Sequence, residues 1–201
     1  MKTEAQIKQE HILEAAIKRF SHFGIHKTTL TDIADDLAIS KPALFYYFHD
    51  KNSLVHAVAE KIINEFLSGY EQGIINAATP HEALLSLIEV KRRYFKKYFL
   101  LAIQGDGAEI SRISPEIPGM YEQGRQKAAA MIAAVLEKGI SQKVFRPMNT
   151  EQTSLLLLET LSAFEQCIRT RKSVPDMKDI DELFDKQKEV LTMIINGLII
   201  D

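Results

Sequence analysis

Residues 28–51 read TTLTDIADDLAISKPALFYYFHDK, and the order of caps, turns and apolar positions in this stretch decides the fold. Thr28 or Thr29 offers a hydroxyl to cap a helix, and Asp32 completes a capping box with Thr29, Asp standing where Glu is usual. Ile33, Ala34 and Leu37 would form the buried face of that helix. Ala38 and Ile39 make a short turn, and Ser40 caps the next helix. Lys41 and Pro42 then fall in a first turn, where proline is tolerated because those amides lack helical partners. Leu44 and Phe48, one turn apart, face inward. The pattern breaks at residues 49–52, with Asp50 or Asn52 as the next cap. Two short helices joined by a tight turn are the helix-turn-helix layout, whose second helix enters a major groove and reaches base edges with its first residues.

Outward from this stretch nearly every segment reads as helix, and strand-like alternation is hard to find. Residues 9–23 carry an apolar stripe of Ile12, Leu13, Ala16, Ile17 and Phe20, and Gly24 is placed to end the helix. After Asn52 a long helix carries Leu54, Val55, Val58, Ile62, Phe66 and Leu67, and fades near residues 76–80. Further helices are expected over residues 81–103, 118–141, 150–171 and 178–199, separated by Gly- and Pro-containing segments.

Composition narrows the function classes. With 46% apolar and 26% charged residues among 201, the chain has a globular rather than a disordered balance. A single cysteine, Cys167, forms no internal disulfide and fits a reducing compartment. No apolar run approaches the roughly 20 residues of a membrane helix, and residues 1–6 have no apolar signal core. A soluble, cytoplasmic protein is expected. Net charge is -2, and the first 51 residues hold seven basic and seven acidic side chains, so a nucleic-acid role must rest on where the bases sit.

The recognition-helix candidate has four consecutive aromatics, Phe45, Tyr46, Tyr47 and Phe48. A helix of a couple of turns cannot bury all of them. An exposed tyrosine beside a lysine suits a phosphate backbone, because the phenol donates a hydrogen bond and the ring packs on sugar. Phe45 is balanced between packing and DNA contact, whereas Asp32, Asp35 and Asp36 read as a cap and a solvated face.

These residues resemble the TetR family of transcriptional regulators. The likeness runs from Ile12 through Ala16, Phe20 and Gly24, and on through Thr28, Thr29, Ile33, Ala34, Leu37, Ile39, Ser40, Lys41, Leu44, Tyr46, Tyr47, Phe48, Lys51 and Leu54. It covers about the first quarter of the chain. The resemblance implies that Lys41, Pro42 and Ala43 face bases, and that Tyr46 and Tyr47 touch phosphate or base. It implies that Lys51 meets a phosphate and that Thr29 and Thr31 approach the backbone. Two positions depart from the family habit. Phe45 replaces a frequent tyrosine and loses one hydroxyl contact, and Ala38 replaces a frequent glycine, so the turn must accept a Cβ.

Beyond the motif, two surfaces stand out. Residues 91–99 place Arg92, Arg93, Lys96 and Lys97 on one side of a helix at about 100° per residue, and Tyr94, Phe95, Tyr98 and Phe99 on the other. The basic side reads as solvated. The aromatic side joins Leu84, Leu87 and Ile88; it is plain core or, as the resemblance implies, lines a ligand cavity together with Phe164 and Cys167. Lys91 falls on that apolar side, so it must snorkel to water, pair with a carboxylate such as Glu165, or meet an anionic ligand. The segment 150–171 is apolar on more than half its circumference, and the last helix carries a stripe through Leu183, Gln187, Val190, Leu191, Ile194, Ile195 and Leu198. Leu158, Leu161, Val190, Leu191, Ile194 and Leu198 are therefore the candidates for a homodimer interface.

The expectation is an all-α protein. Residues 1–51 form a three-helix helix-turn-helix DNA-binding domain, and residues 52–201 a larger helical ligand-binding and dimerisation domain. Its partners would be double-stranded operator DNA, a second copy and a small apolar ligand, with no membrane and no cofactor. Repression is the family default. The competing readings are a helical ligand-binding protein that has lost specific DNA binding, and an enzyme. Against the enzyme, there is no Gly-rich phosphate loop, nucleophile elbow or His-Glu-x-x-His. His22 and His26 flank Gly24 without a third ligand, so no metal site is expected.

Overall fold

Helix α1 (Glu4–Phe23) begins where Thr3 and Gln6 close a reciprocal capping box: the Gln6 amide donates to the Thr3 hydroxyl oxygen at 3.2 Å, and the Thr3 amide to the Gln6 side chain at 2.8 Å. The structure, a computed structural model, describes residues 3–104, 107–171 and 175–200, leaving aside the side chains of 102–109 and 166–171. The helix starts five residues before the expected Gln9. The apolar stripe of Ile12, Leu13, Ala16 and Phe20 begins late, and the cap rather than the stripe sets the start. Gly24, at φ 81°, ψ 153°, ends α1 in a region essentially reserved for glycine, and its amide donates to the Phe20 carbonyl.

The choice of cap for α2 (Leu30–Asp36) falls on Thr29, boxed with Asp32; Thr28 is buried and its hydroxyl donates to the Gly24 carbonyl at 2.9 Å. At the other end Ala38 takes φ 51°. Its amide donates to the Asp35 carbonyl and that of Ile39 to the Ala34 carbonyl, the paired bonds of a Schellman turn. The Cβ is accepted, in a conformation that disfavours any L side chain. Ser40 then caps α3 (Lys41–Tyr47), and Asp50 caps α4 (Lys51–Asn76) through the Ser53 amide at 2.7 Å. The Ser53 amide and hydroxyl, with His49 beside them, hold the Asp50 carboxyl below the usual carboxylate range.

The rest of the chain is α5 (Pro80–Lys97), α6 (Phe99–Gln104), α7 (Gly107–Ile113), α8 (Ile117–Ser141), α9 (Thr150–Arg171) and α10 (Met177–Asn196). No strand occurs among the described residues; a lone antiparallel bridge joins Phe145 to Ile199. The helix expected over 81–103 is two helices broken at Tyr98, and α7 was not expected. The aromatic run through Tyr98 and Phe99 keeps helical spacing, so periodicity alone does not show the break.

Two compact units divide the chain at different places from the expected 51/52 boundary: residues 1–63 with 98–121, and residues 64–97 with 122–201. In the first, Ile12, Ala16 and Phe20 of α1, Ile33 and Ala34 of α2, Leu44 of α3, Phe48, and Leu54, Val55 and Val58 of α4 share one core, joined by Ile117 at the start of α8. Each large apolar side chain taken fully from water contributes roughly 1.5–3 kcal/mol. Arg19 ties α1 to α2, reaching the Asp36 carboxylate at 2.6 Å and the Asp32 carboxylate at 3.4 Å. Lys61 of α4 pairs with Glu10 of α1.

In the second unit α4 and α5 approach closely at Gly69, where a Cβ would stand 2.7 Å from the Tyr94 ring and 2.9 Å from Val90. The basic side of α5 reaches solvent, as expected, and is also paired with carboxylates. Arg92 pairs with Asp185 and Asp181 of α10, and Lys96 meets Asp181 at 2.6 Å. Lys188 of α10 meets Glu89 at 2.9 Å, and Lys97 meets Glu65 of α4 at 2.6 Å. The acidic partners lie on helices distant in sequence, so the α5 wheel could not show them. Gln187 is fully buried, and its side-chain amide donates to the Leu161 carbonyl at 2.8 Å.

The Ala38 turn gives a stability prediction. An L residue in the left-handed region costs about 1–2 kcal/mol, and the greater unfolded freedom of glycine takes back about 0.5–1 kcal/mol. Ala38→Gly should therefore raise unfolding free energy by about 0.5–1 kcal/mol in urea titration. An unchanged or lower stability would contradict the strain assigned to this residue.

Candidate nucleic-acid interface

Helix α3 has seven residues and is held from one side only. Leu44 is fully buried and Phe48 nearly so, and the Ser40 hydroxyl accepts from the Ala43 amide at 3.3 Å. This inner anchorage turns Lys41, Pro42, Ala43, Phe45 and Tyr46 outward, all exposed. Tyr46 is 83% exposed, whereas Tyr47 is half-buried against the core and meets the Tyr46 ring edge-on at 5.2 Å. The Lys41 ammonium stands 5.5 Å from the centre of the Phe45 ring, a cation–π contact one turn along the helix. Phe45 thus does something the sequence left open: at 38% exposure, its ring carries the lysine ammonium over its face.

The chemistry of this face suits a major groove. An ammonium can meet guanine O6 and N7 or a phosphate, the Ala43 methyl and Pro42 ring suit a thymine methyl, and the Tyr46 phenol can donate to phosphate. Thr29 and Thr31 are both exposed at the start of α2. The Thr29 hydroxyl is already engaged, donating to the Asp32 carboxylate at 2.7 Å and accepting from the Asp32 amide. Hydrogen bonds from the Thr29 hydroxyl and amide, with Arg19 nearby, hold the Asp32 carboxyl below its ordinary range. Lys51 is half-buried, and its ammonium donates to the His26 carbonyl at 2.9 Å.

Lys8 was not expected here. It is exposed, pairs with Glu4 at 3.0 Å, and is held above its usual range by Glu4 first and by Tyr47 as a lesser cause.

The other candidate residues separate. Lys91, Tyr94, Phe95 and Phe164 lie in the second unit and Tyr98 and Phe99 in the first; the Cys167 side chain lies outside the described residues. Lys91 is 8% exposed and its ammonium meets the Glu165 carboxylate at 2.6 Å, so the internal pair is the alternative the structure contains. The Phe95 ring packs on Phe184 of α10 at 5.7 Å. Among the dimer candidates, Leu158, Leu161, Leu191 and Leu198 are buried within their own chain, because α9 and α10 pack on each other and α10 on α5. Their stripe is core. Val190 and Ile194 are half-buried, and among the described residues of these helices the most exposed apolar side chains are Leu156 and Met193.

Known proteins similar to this chain are transcriptional regulators. The family profile described as "Bacterial regulatory proteins, tetR family" matches residues 12–58. The transcriptional regulator RutR of Escherichia coli K12 is 26% identical over 197 residues, covering 95% of this chain and 90% of RutR. The crystal structure of a transcriptional regulator from Cytophaga hutchinsonii superposes with a TM-score of 0.83 at 26% identity, over 96% of this chain and 99% of that one. A regulator from Saccharomonospora viridis, solved in complex with choline, has a TM-score of 0.73 at 19% identity over 97% and 98% of the two chains, a likeness of fold. The profile lies over the helices that build the outward-facing α3, and regulators of the same kind match along nearly the whole chain. Residues 12–58 match the tetR family model, and along nearly its whole length the chain is similar to DNA-binding transcriptional regulators.

Proposed function

We propose that the protein is a cytoplasmic repressor that binds a palindromic operator as a homodimer and is released by a small apolar ligand held in the second unit. It acts by binding rather than by catalysis. The observation that carries the DNA half is the one-sided anchorage of α3, with Leu44 and Phe48 inside and Lys41, Pro42, Ala43 and Tyr46 outside. Thr29, Thr31 and Lys51 flank it at the starts of α2 and α4. A twofold dimer demands twofold DNA, with half-sites about 34–36 Å apart or a multiple.

The dimer reading moves from the buried stripe to its margin. Val190, Met193, Ile194 and Gly197 follow helical spacing at the end of α10, and none of the four is buried. Leu156 is exposed on α9. A second copy covering this face would remove that apolar surface from water.

The ligand half is supported by the aromatic and apolar interior of the second unit. Helix α4 supplies residues to both compact units. A ligand that prefers one packing of α4, α5 and α9 shifts the population toward it, and the continuous α4 carries the change to the residues that pack with α3. Linkage requires that operator DNA weaken the ligand by the same factor.

Two experiments test this. With a duplex selected from a random pool, Lys41→Ala should lose about 1–3 kcal/mol of affinity for the selected site, and Tyr46→Phe should weaken selected and scrambled duplexes alike. Equal binding by both variants and the parent would show that α3 is not the reading helix. In sedimentation, Leu156→Glu combined with Met193→Glu should give a folded monomer, whereas Leu161→Glu, at a position 2% exposed, should unfold the chain. A dimer that survives both surface charges would place the interface elsewhere.

A further inference from the structure

Tyr70 of α4 is fully buried, and its hydroxyl finds no hydrogen-bond partner among the described residues. Burial, and secondarily the nearby Glu165 carboxylate, push its phenol well above the usual tyrosine range, so it stays a neutral donor. Leaving such a group unpaired costs about 1–3 kcal/mol, and buried polar atoms in folded proteins are nearly always satisfied. The surroundings are aromatic: the Phe66 ring lies 4.5 Å from that of Tyr70 and 6.0 Å from that of Tyr94. On the polar side, Glu165 of α9 is committed to Lys91 of α5 at 2.6 Å. Three helices thus bring to one place an orphan hydroxyl, an ammonium with hydrogens to spare and a neutralised carboxylate.

We infer that this place binds an uncharged, largely apolar ligand through a carbonyl oxygen, which accepts the Tyr70 hydroxyl. The inference rests on the ligand-released reading above and names the chemistry of that ligand. Both unspent groups are donors, since a lysine ammonium has three N–H and Glu165 takes one. A carbonyl oxygen offers two lone pairs and brings no proton, so it fits, whereas an alcohol must also find an acceptor for its own hydrogen, and the Glu165 carboxylate is already committed to Lys91. A carboxylate fits the donors but not the charge. Lys91 and Glu165 already cancel, and a further anion would be left uncompensated in a buried setting. Glu165 is 27% exposed while Lys91 and Tyr70 are sealed, so the approach from solvent runs past Glu165. Entry therefore separates α9 from α4 and α5.

The test uses the full-length protein, with methyl decanoate, decanoate and decanol as probes of one chain length. The ester should raise the melting temperature, and the carboxylate and alcohol should not. Tyr70→Phe, which keeps the ring and removes the orphan hydroxyl, should melt cooperatively at or above the wild-type temperature and should bind the ester about tenfold more weakly. A Tyr70→Phe protein that melts lower shows that the hydroxyl is bonded after all, and overturns the inference. So does an ester shift that survives the substitution, a larger shift with decanoate, or no shift with any of the three. Operator release is measured separately. If the ester binds through Tyr70 while the DNA complex persists, the site stands and release by ligand falls. If probes release DNA without regard to Tyr70, release stands and this site falls.

Discussion

A helix of seven residues does not hold itself together in water, because nucleation uses up most of what so few hydrogen bonds return. Helix α3 exists because Leu44 and Phe48 are buried against α1, α2 and α4, and because a Schellman turn at Ala38 and a cap at Ser40 fix where it begins. Truncating a side chain such as Leu44 to alanine costs about 2–5 kcal/mol in a packed core, enough to release the helix. The same anchorage decides which residues face outward. With 44 and 48 inside, 41, 42, 43, 45 and 46 are outside, and 47 sits at the edge. Function in the first unit is the geometric remainder of its packing.

Charge completes that remainder. Residues 1–51 carry no net charge, so attraction to DNA cannot be a bulk effect. Arg19 answers Asp32 and Asp36 on α2, which blunts the acidic run that precedes the recognition helix. Lys41 is propped on Phe45. In the second unit ion pairs do different work. The ladder between α5 and α10 is exposed enough to be screened by salt. The Lys91–Glu165 pair lies deeper, so salt screens it less.

The helix-turn-helix was legible because its signals are local. Thr29 with Asp32, Ser40 before Lys41 and Pro42, and the inward spacing of Leu44 and Phe48 are each set within a few residues. The late start assigned to α1 had a local cause too: the Thr3–Gln6 box lay outside the apolar stripe used to find the helix. The second unit was less legible because its signals are tertiary. A wheel shows that Lys91 is on an apolar side and that Glu165 could answer it. It cannot show that Arg92 and Lys96 are met by α10, or that Leu161 and Leu191 look inward rather than toward a second copy. A helix that is apolar most of the way round has more than one way to bury itself. Tyr70 was invisible for a related reason, since an orphan hydroxyl is defined by what does not surround it.

The account turns on the outer face of α3 being the surface that meets DNA. The most direct measurement is the nuclear magnetic resonance of labelled alanine methyls as a selected duplex is added. Ala43 is exposed on α3, whereas Ala16 and Ala34 are buried in the core that supports it. The account predicts that the Ala43 methyl shifts and broadens at stoichiometric duplex while Ala16 and Ala34 hold their positions. An Ala43 signal that stays in place while the duplex is bound would contradict it.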